Sequence, residues 1–146
     1  MINSTVMEMA NQMEQKEIKI NSSVENLAYV EREIEASFDD FNISFDLFGN
    51  VLIAVTEAVN NAISYGNRND VTKEVTIEFK ASNGHLTVSI SDEGNGFDYD
   101  SLPDPTDPEN IEKLEGRGIF LMKSLSDGLS FYDDGSKVEM RFNYSN

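Results

Sequence analysis

Two runs of alternating apolar and polar residues flank an Asn-Gly pair near the middle of the chain. They extend from Glu74 to Lys80 and from Leu86 to Ser91, and Asn83-Gly84 lies between them. Alternation with a period of two is typical of a strand with one buried face, and Asn-Gly favours a tight turn between antiparallel strands. The pattern therefore predicts a β-hairpin whose apolar face must be covered by other parts of the chain.

Two amphipathic helices are predicted before this hairpin. In the first, from Val24 to about Phe38, apolar residues recur at steps of three and four, which is typical of one face of a helix. In the second, from about Asp46 to Ser64, one apolar stripe is suited to packing on a sheet, and Gly66-Asn67 ends the helix. Their apolar faces are the expected cover for the hairpin.

The remaining patterns predict further strands and a third helix. Residues 17–21 alternate as a short first strand, residues 118–126 are predicted to be helical, and residues 129–132 and 137–142 form a closing hairpin. Such a combination predicts an α/β two-layer sandwich, in which helices pack on one face of a mixed, mostly antiparallel sheet.

The composition is that of one globular domain. Of the 146 residues, 39% are hydrophobic and 26% are charged. We expect a flexible N-terminal segment at residues 1–15 and a single domain at residues 16–146. No stretch is long and apolar enough to predict a membrane span. The chain has no cysteine, which excludes disulfides and zinc–thiolate sites; a cytoplasmic location is the default expectation.

The formal charge of −16 limits the classes of partner. It argues against nucleic acid, because phosphate contacts require clustered lysines and arginines, and it disfavours anionic membranes. Two interpretations stay open, a self-repelling surface that keeps the protein in solution, or a surface that attracts a basic protein partner.

Glu57 and Asn61 are the first candidate site residues. They are four residues apart on the second helix, so they project from one face, away from the apolar stripe. The Asn61 amide oxygen can bind Mg²⁺, and the Glu57 carboxylate can orient a water or a hydroxyl. The alternative is that both are ordinary solvated helix residues.

Asp92 is the second candidate, at the end of an apolar strand and before Gly94 and Gly96. At the bottom of a pocket its carboxylate could accept a hydrogen bond from an adenine amino group, while the glycines let the backbone approach the ligand. The alternative is a common strand-end turn.

The third candidate is Gly116-Arg117-Gly118, directly before the predicted third helix. Glycines at a helix start expose N–H groups to phosphate, and Arg117 adds a positive charge. The alternative is a flexible hinge. The preceding segment, residues 98–115, is acidic and contains all three prolines, so we interpret it as a mobile lid.

Together the three segments resemble the N, G1 and G2 boxes of the GHKL ATPase superfamily. The matching phrases are Glu57-x-x-x-Asn61-Ala62, Asp92-x-Gly94-x-Gly96-Phe97 and Gly116-x-Gly118. Within that superfamily, residues 17–142 are similar to the small anti-sigma regulatory serine/threonine kinases of bacterial partner-switching systems.

The resemblance implies the Bergerat ATP-binding fold, with ATP held under a lid and Mg²⁺ bound through Asn61. It implies Glu57 as the general base. Ser136-Lys137 stands where relatives often have two threonines near the adenine, and Tyr65 stands where many have a histidine. The implied ATP contacts are Asn61, Tyr65, Asp92, Gly94, Gly96, Gly116, Arg117, Gly118 and Ile119.

The resemblance also implies partners. The substrate would be a serine or threonine of a STAS-type anti-sigma-factor antagonist, whose unphosphorylated form binds the kinase and frees a sigma factor; homodimers are usual. Three alternatives stay open: a nucleotide-binding module that sequesters a partner without phosphotransfer, a stand-alone ATPase or detached histidine-kinase domain, and an interaction domain without a ligand.

Overall fold

The computed structural model of the chain describes residues 13–96 and 114–144, which contain five strands and three helices. The strands are β1 (Glu14–Asn21), β2 (Glu74–Ser82), β3 (His85–Ser91), β4 (Gly128–Tyr132) and β5 (Lys137–Asn143). The helices are α1 (Leu27–Asp40), α2 (Phe48–Asn61) and α3 (Leu114–Leu125). Short 3-10 turns lie at Val24–Asn26, Phe45–Leu47 and Asp133–Gly135, and a π-helical turn, Ala62–Gly66, continues α2.

The strands form one sheet in the order β1-β2-β3-β5-β4, and each neighbouring pair is antiparallel. The register places Ile18, Ile77, Ile90 and Val138 in one row across four strands. All four side chains are buried, because the helices pack on this face of the sheet. The predicted two-layer α/β sandwich is confirmed.

The β2–β3 hairpin turns through two residues, since Ser82 pairs with His85. Asn83 has a φ of 51° and Gly84 has a φ of 81°. Two consecutive left-handed residues define the hairpin turn that Asn-Gly favours, because these residue types tolerate positive φ at low cost. The predicted hairpin is therefore confirmed at its turn.

The core lies between the sheet and the helices. Along β2 the buried residues alternate with partly exposed ones, as expected of a strand with one covered face. From the helices the core receives apolar side chains at three- and four-residue steps. The buried helix residues include Val30, Ile34 and Phe38 of α1, and Val51, Ala54, Val55, Ala58 and Val59 of α2.

Several boundaries differ from those predicted. β1 begins at Glu14, because its pairing with β2 extends to Glu14↔Ala81. The largest difference concerns α3, which begins at Leu114 rather than at about Gly118. The prediction of an open glycine turn before this helix is therefore wrong: Gly116 and Gly118 are both helical, and Gly118 packs against Glu57 and Asn61 of α2.

Other predictions fall on residues outside the described part of the chain. These are the first residues of the N-terminal segment 1–15 and most of the acidic segment 98–115. In the described ranges, no helix has the length and apolar character needed to cross a membrane.

Candidate functional site

A cavity of about 330 Å³ lies where the end of α2, the helix α3 and one end of the sheet meet. This volume is within the range of small-ligand pockets. Its walls contain both apolar and polar groups: Ala58, Asn61, Ala62, Ser64, Tyr65, Gly66, Arg68, Ile90, Asp92, Gly96, Ile119, Met122, Phe131, Gly135, Ser136 and Val138. The candidate segments around Asn61, Asp92 and Gly118 therefore meet at one cavity.

Asp92 lines the cavity at the point where β3 ends. Its backbone N–H donates to the carbonyl of Ser136 at 2.9 Å, which ties it to the start of β5. Its carboxylate accepts a hydrogen bond from the Gly94 N–H at 2.8 Å. The orientation of this carboxylate is therefore fixed by the turn that follows it.

Partial burial changes the acidity of this carboxylate. Desolvation raises the pKa of Asp92 above its ordinary value of 3.8, and the Gly94 N–H and the charge of Lys73 oppose the rise. A desolvated carboxylate gains more from a hydrogen-bond donor than one in water, because the local dielectric constant is lower. Asp92 is therefore a strong acceptor for an N–H group that enters the cavity.

Gly66 allows the end of α2 to contact Asp92 directly. A Cβ at Gly66 would overlap the Asp92 carboxylate, with Oδ1 only 2.8 Å away. Gly94 packs on the carbonyl of Gly66 in the same way, so a Cβ there would overlap this carbonyl. Sequence reasoning assigned Gly66 only to the end of the helix, and its role as a contact residue was missed.

The π-helical turn Ala62–Gly66 brings several cavity residues together. Its wider backbone spacing replaces the last α-helical turn, and the Asn67 N–H closes it by donating to the Ala62 carbonyl at 2.8 Å. Ser64 and Tyr65 from this turn line the cavity. Single π turns inside helices often occur at functional sites.

Gly96 connects the Asp92 turn with the turn between β4 and β5. It has a φ of 80°, in the left-handed region, and a Cβ there would overlap the Asp134 carbonyl. Ser136, on the far side of the same turn, lines the cavity.

Glu57 and Asn61 lie side by side against Gly118 of α3. A Cβ at Gly118 would be 3.2 Å from Glu57 Oε2 and 3.0 Å from Asn61 Nδ2. Asn61 lines the cavity, whereas Glu57 is not among the described residues of its walls. The predicted shared face of α2 therefore carries both groups, with Asn61 inside the cavity and Glu57 at its edge.

The Gly116-Arg117-Gly118 segment differs most from its predicted form. All three residues are helical, and Arg117 is exposed and absent from the described cavity walls. Ile119 lines the cavity as expected. The expectation that these glycines form an open turn before the helix is wrong for this structure, because the helix already begins at Leu114. Gly116 lies in its first turn, where backbone N–H groups have no partner within the helix.

Arg68 is a cavity residue that sequence reasoning missed. It lines the cavity, has a left-handed φ of 53°, and forms no ion pair in residues 13–96 and 114–144. A cation close after the Glu57–Asn61 segment was the available signal. It was overlooked because the residues around it were interpreted as a plain turn.

The side-chain oxygens at the cavity fit a metal ion that binds in company with a phosphate ligand. Within the described ranges, no group of three or more histidine, cysteine or acidic side chains could hold a metal ion. Mg²⁺ typically takes only one or two protein oxygens and completes its shell with substrate phosphates and water. The single amide oxygen of Asn61 is consistent with that mode.

A family model for the histidine kinase-like ATPase domain matches residues 20–142, which is most of the chain. The chain belongs to this family. The match begins at the end of β1 and ends within β5, so it includes β2, β3, β4 and all residues that line the cavity. Membership in a family of ATPase domains implies the use of ATP.

Two proteins named serine-protein kinase RsbW are similar to this chain over most of its length. The chain is 30% identical over 132 residues to the serine-protein kinase RsbW of Staphylococcus epidermidis, covering 85% of this chain and 83% of the relative. It is 29% identical, with the same coverage, to RsbW of Staphylococcus aureus. The resemblance to anti-sigma regulatory kinases of the GHKL type is thereby confirmed.

A solved structure shows the same fold. The crystal structure of the RsbU and RsbW domains of a Mycobacterium tuberculosis protein superposes with a TM-score of 0.65 at 13% sequence identity. The match covers 91% of this chain but 33% of that longer chain.

The Gly66–Asp92 contact leads to a prediction about stability. Gly66→Ala should lower the free energy of unfolding, because the new methyl group would overlap the Asp92 carboxylate. Gly49→Ala is the matched control: Gly49 lies in α2, and no atom lies within 4 Å of the position that its new methyl group would take, so this change should stabilise the helix by up to about 1 kcal/mol. Urea unfolding of both variants checks this, and equal stabilities would contradict the contact.

The raised pKa of Asp92 leads to a prediction about pH dependence. When folding raises the pKa of an acid, ionisation of that acid lowers the free energy of unfolding. This cost disappears below the unfolded pKa of 3.8, where the acid is protonated in both states. Asp92→Asn should therefore unfold at higher urea concentration than the parent at pH 7, with the difference shrinking as the pH falls through the raised pKa. A difference that is independent of pH would contradict the assignment.

Proposed function

We propose that this protein is an ATP- and Mg²⁺-dependent serine/threonine kinase of a partner-switching system. It would phosphorylate an anti-sigma-factor antagonist of the STAS type and, as an anti-sigma factor, sequester a sigma factor. The observation that carries the proposal is the meeting of Asn61, Asp92 and Ile119 around one cavity, with Glu57 and Gly118 next to Asn61. The similarity to proteins named serine-protein kinase RsbW supports the same class of reaction.

The base of ATP would bind at the Asp92 end of the cavity. The carboxylate would accept a hydrogen bond from the adenine amino group, and Gly94 and Gly96 would keep the backbone close to the ring. Ile90, Met122 and Val138 line the same cavity, so they would contact the flat faces of the purine.

The triphosphate would extend toward Asn61 and α3. Mg²⁺, when bound, would be held by the Asn61 amide oxygen together with phosphate oxygens and would neutralise part of their charge. Tyr65 could donate its hydroxyl to a phosphate. On the α3 side the proposed contacts are Gly116, Gly118 and Ile119.

Phosphoryl transfer would use Glu57 as a general base. Glu57 would accept the proton of the acceptor hydroxyl while the oxygen of that hydroxyl bonds to the γ-phosphorus. The bond from that phosphorus to the β–γ bridging oxygen would break. The products are ADP and a phosphoserine or phosphothreonine on the antagonist. Most of the rate enhancement in such reactions comes from positioning and charge stabilisation.

Arg68 takes in this proposal the place of Arg117, the cation that the sequence predicted at the site. A chain with a formal charge of −16 must bind a polyanion, so positive charge at the cavity is needed for affinity. Arg68 lines the cavity and Arg117 is not among its described walls. We therefore assign the principal cationic contact with ATP to Arg68.

The protein partners and the location are further parts of the proposal. The antagonist and the sigma factor are proposed from the similarity to RsbW proteins, and a homodimeric state is proposed only from the family resemblance of the sequence. A cytoplasmic location agrees with a chain whose described helices include none that could span a membrane.

One observation favours a second candidate, a nucleotide-dependent sequestering module without phosphotransfer. Glu57 lies against Gly118 and not among the described walls of the cavity, so an acceptor hydroxyl reaches it only from the edge of the site. A protein of this kind would bind ATP and its partner but would not transfer phosphate to that partner.

Glu57→Gln separates the two candidates. Replacing the carboxylate with a neutral amide should lower the rate of phosphate transfer to the antagonist by about a hundredfold or more and leave ADP affinity unchanged. Transfer is measured with labelled ATP, and Glu35→Gln, an exposed residue of α1, is the control. A parent protein that binds ATP and antagonist without transfer would instead support the sequestering module.

Arg68→Gln and Arg117→Gln test the assignment of the cation. Loss of a charge-assisted hydrogen bond should weaken ATP binding by about tenfold or more for Arg68→Gln, whereas Arg117→Gln should change it little. Both variants remove one positive charge, so the long-range effect on the binding constant is matched. Titration with a fluorescent ATP analogue gives the dissociation constant of each variant. A larger loss of affinity in Arg117→Gln than in Arg68→Gln would assign the cationic contact to Arg117.

A further inference from the structure

We propose that Asn67 is a positioning residue for base recognition, because its buried amide fixes the turn that carries Asp92. The inference rests on the proposed function, since it assumes that Asp92 binds the adenine amino group. It concerns a residue that the sequence assigned only to the end of a helix.

Asn67 is 1% exposed and uses both ends of its side-chain amide. Its Oδ1 accepts a hydrogen bond from the Glu93 backbone N–H at 2.8 Å. Its Nδ2 donates to Ser22 Oγ at 2.8 Å and to the Glu74 carbonyl at 3.0 Å. One side chain therefore joins the β1–α1 connection, the start of β2 and the Asp92 turn.

The bond to Glu93 completes a clamp around Asp92. The Asp92 N–H donates to the Ser136 carbonyl at 2.9 Å, and the next N–H along the chain, that of Glu93, donates to Asn67. The two consecutive peptide groups are thus held from opposite sides, by the β4–β5 connection and by the end of α2. The Asp92 carboxylate itself is oriented by Gly94.

The other contacts of Asn67 hold it in place. Ser22, also 1% exposed, donates its own hydroxyl proton to the Lys73 carbonyl at 2.7 Å. The carboxylate of Glu93 accepts from the Glu74 N–H at 2.5 Å. In the described part of the chain no buried side-chain polar atom lacks a partner, so this network is fully satisfied and has one preferred arrangement.

Asn67 also controls the distance between Gly66 and Asp92 in the part of the cavity where the adenine base is proposed to bind. Its backbone N–H closes the π-helical turn on Ala62, and the preceding residue, Gly66, contacts the Asp92 carboxylate. The same residue therefore fixes Gly66 through its main chain and Asp92 through its side chain. A hydrogen-bond acceptor distinguishes one base from another only if it is held to within a fraction of an ångström.

The experiment compares binding at the two ends of the nucleotide. Affinities for ADP, GDP and Mg²⁺–tripolyphosphate are measured by calorimetry for the parent and for Asn67→Ala. We expect ADP binding to weaken by about tenfold or more and the ADP-over-GDP preference to fall by a similar factor. Tripolyphosphate affinity should stay unchanged, because that ligand does not reach Asp92.

Two further variants separate positioning from general stability. Asn67→Asp keeps an acceptor for the Glu93 N–H and should retain more of the ADP-over-GDP preference than Asn67→Ala. Val30→Ala, which opens a cavity in the fully buried part of α1, lowers stability without touching the site and should keep the parent's preference. If Asn67→Ala does not fold, Ser22→Ala, which removes one of the three partners, should lower the preference in the same direction.

The outcomes are distinguishable. The positioning role alone would be overturned if Asn67→Ala kept the parent's ADP-over-GDP preference or weakened the binding of all three ligands equally. If Asn67→Ala does not fold, the same outcomes in Ser22→Ala would overturn it. A parent protein without a preference for ADP over GDP would overturn the assignment of Asp92 to adenine, and with it this inference.

Discussion

The contact between the end of α2 and the turn after β3 is the constraint on which the rest of this site depends. Gly66 and Asp92 approach so closely that a Cβ on the glycine would overlap the carboxylate. That approach defines one wall of the cavity, and it requires the helix to end in a π-helical turn and the turn to be pinned by Asn67. Backbone geometry, more than any single functional side chain, therefore creates the site.

This arrangement places an acidic group where folding alone would not favour it. Burial raises the pKa of Asp92, so its ionised form is less stable in the folded protein than in water. Strained or poorly solvated groups persist at sites where they serve binding. The same tension applies to the whole chain, whose charge of −16 opposes the binding of a polyanion. In the proposed function, Arg68 together with a divalent metal would offset this repulsion.

Much of the fold was predictable because its signals are local. The Asn83-Gly84 turn adopts the left-handed conformations that its residue types favour, and the alternation in β2 reports directly which face is buried. The shared face of Glu57 and Asn61 follows from helix periodicity. The start of α3 was not predictable in this way, since glycines are poor helix formers, and Gly116 and Gly118 are helical only in the packed structure. The exposed position of Arg117 and the presence of Arg68 in the cavity depend on the same packing.

The amino-acid sequence by itself determined the mostly antiparallel sheet with helices on one face and the family, because periodicity, turn chemistry and short motifs are encoded in neighbouring residues. Only the tertiary structure decided which groups meet. The clamp on Asp92 joins residues 22, 67, 74, 93 and 136, which are far apart along the chain. Their hydrogen bonds and close contacts exist only after the elements pack, and no local pattern reports them.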